Sequence, residues 1–185
     1  MIEDPDDVLV RRCRDGDRTA FVALVRRYRG PIYNCAYRVL GREEDASDVT
    51  QGVFLKIIQR LDQYDPNYKF FSWIYRMALN DALNMLRDRG REAPMEEGME
   101  GAADERSNPE AQVSDKQEAH RIQQALMRMK VSDRAVLTLR HFSDCSYEEI
   151  GRVLGAPVGT IKWRISEARR QVKQRLQKLG HGEPR

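Results

Sequence analysis

Ser146-Tyr147-Glu148-Glu149-Ile150-Gly151-Arg152-Val153-Leu154-Gly155-Ala156-Pro157-Val158-Gly159-Thr160-Ile161-Lys162-Trp163-Arg164-Ile165-Ser166-Glu167-Ala168-Arg169-Arg170 is the stretch that decides the fold. Ser146, followed three residues later by Glu149, is a capping box that opens a helix. The short helix stops at Gly155, the residue type that takes the left-handed conformation at a helix end. Ala156 to Gly159 makes the turn, and a longer helix is predicted from about Val158 to Leu179. Short helix, glycine turn and long basic helix form a helix-turn-helix. On a helical wheel Ile161, Ile165, Ala168, Val172 and Leu176 share the core face. Thr160, Lys162, Trp163, Ser166, Glu167 and Arg170 lie opposite, flanked by Arg164 and Arg169. Side chains in the first turns of such a helix reach base edges in the major groove, while flanking arginines hold phosphates. An amphipathic bundle helix with a wet basic side is the plainer alternative, and an exposed tryptophan on the polar face argues against it.

Upstream, Ile122, Ala125, Leu126 and Met129 repeat at helical spacing, and Ser132 is placed to cap a helix over Asp133–Phe142. Residues 119–178 hold 13 basic and 5 acidic side chains. That excess points to a polyanionic partner, most simply nucleic acid. Residues 92–118 hold 2 basic and 9 acidic side chains, with proline and glycine and little aliphatic bulk, which is the composition of a linker. The fold class that follows is all-α. Two small helical domains, over 1–91 and 119–185, are joined by an acidic flexible linker over 92–118.

The N-terminal module shows three helical stripes. Phe21, Leu24, Val25, Tyr28, Ile32, Cys35, Ala36 and Val39 form the first, with a kink or break expected at Gly30-Pro31. Val49, Val53, Phe54, Ile57, Ile58 and Leu61 form the second. Ile74, Met77, Ala78, Ala82 and Met85 form the third. A shorter helix near Val8–Cys13 precedes them. Asp62 to Phe71 reads as a loop that turns at Asp65-Pro66-Asn67. Tyr64, Tyr68, Phe70, Phe71, Trp73 and Tyr75 crowd into this loop and the helix start beside Lys69. Aromatics next to cations can stack on unpaired bases. Trp73, Arg76, Asn80, Asn84 and Arg87 then form a polar-aromatic stripe separate from the core stripe, a candidate single-strand groove. Burial is the competing role for these aromatics, and for Phe70 and Phe71 it weighs at least as much.

Asp45, Asp48 and Gln51 fall on one side of the second stripe's helix. Three readings are open for them and for Glu43 and Glu44: a magnesium site, first-turn acids that favour the helix dipole, and a docking face for a protein. Neither a phosphate-binding glycine loop nor a second carboxylate motif supports the first. No catalytic residue, metal or cofactor is expected.

The length of 185 residues suits one ordinary domain or two small ones. The sequence has no run of about 18 apolar residues, so no membrane-spanning helix is expected. Met1 to Asp7 is acidic without an apolar stretch, which disfavours a secretory signal. Cys13, Cys35 and Cys145 are scattered and odd in number, which disfavours a disulfide framework and a zinc site. A cytoplasmic location follows.

In their joint order, several runs resemble the bacterial sigma factors of the extracytoplasmic function group, in the sigma-70 family. Gly16-Asp17-Arg18-Thr19-Ala20-Phe21, Asp45-Ala46-Ser47-Asp48-Val49-Thr50-Gln51-Gly52-Val53-Phe54-Leu55 and Phe71-Ser72-Trp73-Ile74-Tyr75-Arg76-Met77-Ala78-Leu79-Asn80 are similar to the family's promoter-melting domain. Ser146 to Ile150 and Pro157 to Ile165 are similar to its upstream-element-binding domain. The resemblance covers about residues 8–91 and 119–178. It implies a factor without enzymatic activity that binds core RNA polymerase, directs it to promoter DNA and helps open the duplex. By the same resemblance, Asp45, Asp48 and Gln51 dock on the polymerase's largest subunit. The Asp62–Phe71 loop and Asn80 capture a flipped base of the −10 element. The last helix reads the −35 element, the acidic linker runs along interior channels of the polymerase, and an anti-sigma factor holds the protein inactive.

Three residues depart from the family pattern. Trp163 stands where a small polar residue is usual, Glu167 where an arginine is common, and Gly151 where alanine follows the Glu-Ile pair. Glu167 either accepts from a base or forms an ion pair with Arg164, Arg170 or both and orients them. Two rival functions remain: a helix-turn-helix repressor or activator on duplex DNA, and a small metal-dependent enzyme acting on nucleic acid through Glu43, Glu44, Asp45 and Asp48. The first leaves the aromatic loop and the long linker unexplained. The second lacks a nearby histidine.

Overall fold

The computed structural model describes residues 4–92 and 113–180. The segments expected as the middle of the linker and the extreme C-terminus lie outside them. Eight α-helices and no strand occur among the described residues: α1 (Asp6–Arg14), α2 (Arg18–Leu40), α3 (Glu43–Arg60), α4 (Phe70–Glu92), α5 (Val113–Met127), α6 (Val131–Leu137), α7 (Tyr147–Leu154) and α8 (Val158–Gly180). A single 3₁₀ turn, Leu61–Gln63, follows α3, and a π-helical turn, Thr138–Phe142, follows α6. The helices reach into the segment read as linker at both ends. Glu92 is still helical, and α5 begins inside the supposed linker at Val113.

Local chemistry sets the helix ends in the first module. The Asp17 carboxylate accepts from the backbone N–H groups of Thr19 (2.8 Å) and Ala20 (3.3 Å) and so caps α2. The Thr19 hydroxyl and the Arg12 guanidinium add to those bonds and hold Asp17 well below the usual carboxylate range. α2 runs unbroken through Pro31, contrary to the expected break. Pro31 removes one N–H from the ladder, but Tyr28, Ile32, Cys35 and Ala36 are buried on either side of it, and that packing carries the helix through. α2 ends at Gly41, whose φ of 78° is left-handed. The core of this module is Leu24, Ile32 and Val39 of α2, Val49, Val53 and Ile57 of α3, and Ile74, Ala78 and Ala82 of α4. Ile58 was expected in this core and is 61% exposed instead. It is one position past Ile57, and the buried face of α3 turns away there.

In the second module the capping box at Ser146 is formed in both directions: Glu149 N–H donates to Ser146 Oγ (3.2 Å), and Ser146 N–H donates to Glu149 Oε2 (2.7 Å). Gly155 closes α7 with φ 64°. The α7–α8 turn is tight, and a Cβ at Gly151 would stand 2.8 Å from the Ala156 carbonyl oxygen. Ser132 is not an N-cap, because α6 already begins at Val131 with Lys130 before it. The single helix expected to Phe142 becomes α6 and the π turn. Ile161, Ile165 and Ala168 of α8 are buried as the wheel requires.

The two modules pack on each other, and one buried apolar cluster includes residues of both. Met127 of α5 lies against Gly41, where any Cβ would collide with its sulfur. Gln123 Nε2 donates to the Tyr37 carbonyl (3.0 Å). The Arg38 guanidinium sits 3.6 Å from the Phe142 ring centroid. Cys35 and Cys145 are buried, their thiols pushed up to about 12 mainly by burial, and neither they nor Cys13 forms a disulfide.

Candidate nucleic-acid interface

The first candidate surface begins at the loop before α4. Arg14 of α1 reaches across and donates to the carbonyl oxygens of Leu61 (3.0 Å) and Tyr64 (2.6 Å), which fixes the loop's entry. The Asp65 carboxylate accepts from Asn67 N–H (2.9 Å) and makes the expected turn. Behind the loop, Tyr64 and Phe70 are buried and stack edge to face at 5.3 Å between centroids. Phe70 also meets Tyr28 (5.7 Å), and Trp73 leans on both Tyr64 (5.5 Å) and Phe70 (5.9 Å). The Tyr64 hydroxyl donates to the Tyr68 carbonyl (2.5 Å). Tyr64 and Phe70 thus support the loop from behind, and for Phe70, 2% exposed, the structure shows the burial that competed with base contact in the sequence.

What the loop presents outward is a cleft of about 330 Å³ lined by Gln63, Tyr64, Asp65, Tyr68, Ser72, Trp73 and Arg76, with Arg152 of α7 on its far side. Tyr68 is exposed, Trp73 and Phe71 are half-buried, and Arg76, Asn80, Asn84 and Arg87 continue along an exposed stripe of α4. Arg87 donates to Asn84 Oδ1 (3.1 Å). Two expected contacts are occupied by the second module. Lys69 pairs with Glu149 of α7 (2.5 Å), and the Arg152 guanidinium lies 6.0 Å from the Tyr68 ring centroid. The Lys69 hydrogen bond and the capping box outweigh the burial of Glu149 and leave its carboxyl below the usual range. Gln63 and Asp65 lie in the loop the resemblance pointed to, whereas Arg152 was not anticipated as a lining residue. Arg152 carries no sequence signal for the role, because its contact is made across modules.

A second surface lies on α3. Asp48 and Gln51 are exposed, as expected. Asp45 is not: it is 5% exposed and takes both guanidinium nitrogens of Arg89 from α4 at 2.5 Å. That bidentate pair ties α3 to α4 and engages both Asp45 carboxylate oxygens. Exposed Leu55 (59%) and Ile58 (61%) continue from Asp48 and Gln51 along the same side at helical spacing.

The third surface is the outward face of α8. Trp163 is 67% exposed. Lys162 and Ser166 are exposed, and Thr160, Arg164 and Glu167 are half-buried. Lys162 Nζ stands 5.7 Å from the Tyr147 ring centroid, with Arg140 on the same ring at 5.3 Å. Glu167 is paired with Arg170. Arg170 donates to it through Nε (2.9 Å) and a terminal nitrogen (2.6 Å), and Gln171 adds a third bond (3.0 Å). Those bonds hold Glu167 at about 2. Arg169 Nε donates to His141 Nε2 (3.0 Å).

An all-helical chain that combines a helix-turn-helix with a separate aromatic cleft has the parts of a transcription protein that handles both paired and unpaired DNA. The comparisons with known proteins agree. Residues 24–92 match the Sigma-70 region 2 family, and residues 119–172 match Sigma-70, region 4. The chain is 34% identical to the RNA polymerase sigma-H factor of Pseudomonas aeruginosa over 97% of both chains. It is 34% identical to the ECF RNA polymerase sigma-E factor of Escherichia coli over 94% of this chain and 95% of the other. Among solved structures, CnrH in complex with the cytosolic domain of CnrY matches with a TM-score of 0.73 at 25% identity, over 95% of this chain and 99% of the other. The chain belongs to the sigma-70 family, in its extracytoplasmic function group, and is an RNA polymerase sigma factor that directs promoter-specific initiation. None of its described helices is long and apolar enough to cross a membrane.

Proposed function

We propose that the three surfaces divide the work of initiation. The exposed Asp48-Gln51-Leu55-Ile58 side of α3 docks on core RNA polymerase. The α4 cleft, through Tyr68, Trp73, Arg76 and Asn80, takes up an unpaired base of the −10 element. The outward face of α8 reads the −35 duplex. The chain itself catalyses nothing and acts in the cytoplasm with the polymerase. An anti-sigma protein controls it, as CnrY accompanies CnrH in the similar structure.

The observation that carries this reading is the presence on one chain of two nucleic-acid surfaces of unlike chemistry. A cleft lined by tyrosine and tryptophan suits stacking on unpaired bases. An exposed row of cations around an indole on a helix-turn-helix suits the major groove. A duplex-binding repressor has no use for the first. The docking side is supported by two adjacent exposed aliphatic residues beside polar ones, a pattern that marks a protein-binding patch. The test is reconstitution of the full chain with core polymerase. Promoter-specific transcripts with an opened −10 region are expected, and duplex binding without transcripts would favour the repressor.

A further inference from the structure

Resting on the assignment of α8 to the −35 duplex, we infer that Trp163 is the principal specificity residue of this recognition helix, and that it reads the C5 methyl group of a thymine. Trp163 is left by elimination among the large side chains of the outward face and its flanks, since the short hydroxyls of Thr160 and Ser166 offer little apolar surface. Glu167 is the acceptor that could take a hydrogen bond from the cytosine N4 amino group, but its carboxylate already receives three hydrogen bonds, two from Arg170 and one from Gln171. Those bonds keep it ionised and turned along its own helix. The Lys162 ammonium is drawn toward the Tyr147 ring, beside Arg140. Arg169 is engaged with His141.

Trp163 has no hydrogen bond or ring contact among the described residues and is the most exposed large apolar side chain described. It stands in the second turn of α8, the part of a recognition helix that enters the groove. Arg164, Arg169 and Arg170 around it supply the phosphate attraction that brings the duplex to it. An indole offers mainly apolar surface. In the major groove the base edge that matches apolar surface is the thymine methyl. Covering both the ring and the methyl removes apolar area from water, which gives the contact its energy.

The experiment uses the full chain assembled with core polymerase. A promoter library randomised upstream is selected first, and each thymine of the selected −35 element is then replaced by uracil, which lacks only the methyl. One or two positions should lose about fourfold in affinity, the worth of one buried methyl group. Trp163→Ala should abolish that sensitivity, Trp163→Phe should keep part of it, and C5-methylcytosine at the same position should restore part of what cytosine loses. A selected element without thymine, or an equal uracil penalty in wild type and Trp163→Ala, overturns the assignment to Trp163. A library that yields no upstream preference at all overturns the underlying reading of α8 as well.

Discussion

In the loop before α4 and at its start, most of the aromatic residues expected to meet nucleic acid are committed to the fold, whereas on α8 the one aromatic residue is free. Tyr64 and Phe70 are buried, Trp73 is packed on both, and the outermost pair, Tyr68 and Lys69, is held by Arg152 and Glu149 of the second module. Trp163 touches nothing comparable. The difference fits the roles proposed for the two surfaces. A cleft for a single unpaired base needs rigid walls, and rigid walls come from side chains packed behind it. A helix entering a groove is already rigid, so its readers can stand in water. The contrast also places control differently. The α4 cleft is shared between modules and is sensitive to how they sit, while the α8 face is self-contained.

The sharpest test of that contrast is to truncate one aromatic on each side. Phe70→Ala should cost about 3–5 kcal/mol of stability, as expected for a fully buried ring. Trp163→Ala should change stability by no more than about 0.5 kcal/mol. Urea unfolding of the two variants measures both. Comparable losses would mean that Trp163 is structural.

The same logic separates Asp45 from Asp48, which the sequence had grouped. Arg89→Ala leaves the Asp45 carboxylate buried without its bidentate partner, and about 2 kcal/mol should be lost. Asp48→Arg should leave the fold within about 0.5 kcal/mol of wild type and weaken core polymerase binding about tenfold or more. Fluorescence anisotropy of labelled chain against core polymerase reads the second effect.

Arg152→Ala probes the shared cleft. Removing its contact with Tyr68, worth about 0.5–1 kcal/mol, should raise the affinity of the full chain for a single-stranded −10 oligonucleotide by roughly two- to fivefold. Binding of a −35 duplex should stay unchanged. An unaltered oligonucleotide affinity would show that the module contact does not compete with the base.

The smallest effect concerns His141. Burial, assisted by the Arg169 and Arg140 charges and opposed by Asp144, lowers its pKa below the ordinary histidine value. The folded state therefore favours the neutral ring, which accepts from Arg169. The stabilisation is complete above the ordinary histidine pKa and is lost as pH falls through the lowered one. NMR titration should show a depressed pKa that rises in Arg169→Ala.

The helix-turn-helix was legible almost residue by residue, because its signals are local: the capping box at Ser146, the left-handed Gly155 and the 3.6-residue stripe on α8 each involve neighbours in sequence. The three-helix core of the first module was legible for the same reason. Pro31 misled, since a proline's local cost says nothing of the packing that overrides it. The burial of Asp45 and Phe70 was less legible. Both sit at positions where helical periodicity allows two faces, and the partners that decide between them, Arg89 and Tyr28, lie 44 and 42 residues away in the chain. The cover that Arg152 and Glu149 place on the cleft had no signal at all, because it arises from the packing of one module on the other.

The division of labour between α4 and α8 is tested most directly at Asn80, which is exposed on α4 beyond the module contact. Holoenzyme carrying Asn80→Ala is compared with wild type on one promoter, with permanganate reactivity reporting the opened −10 region and footprint protection reporting the −35 duplex. The expected result is loss of permanganate reactivity with upstream protection retained. Wild-type reactivity in the variant, or loss of both signals together, would contradict the account.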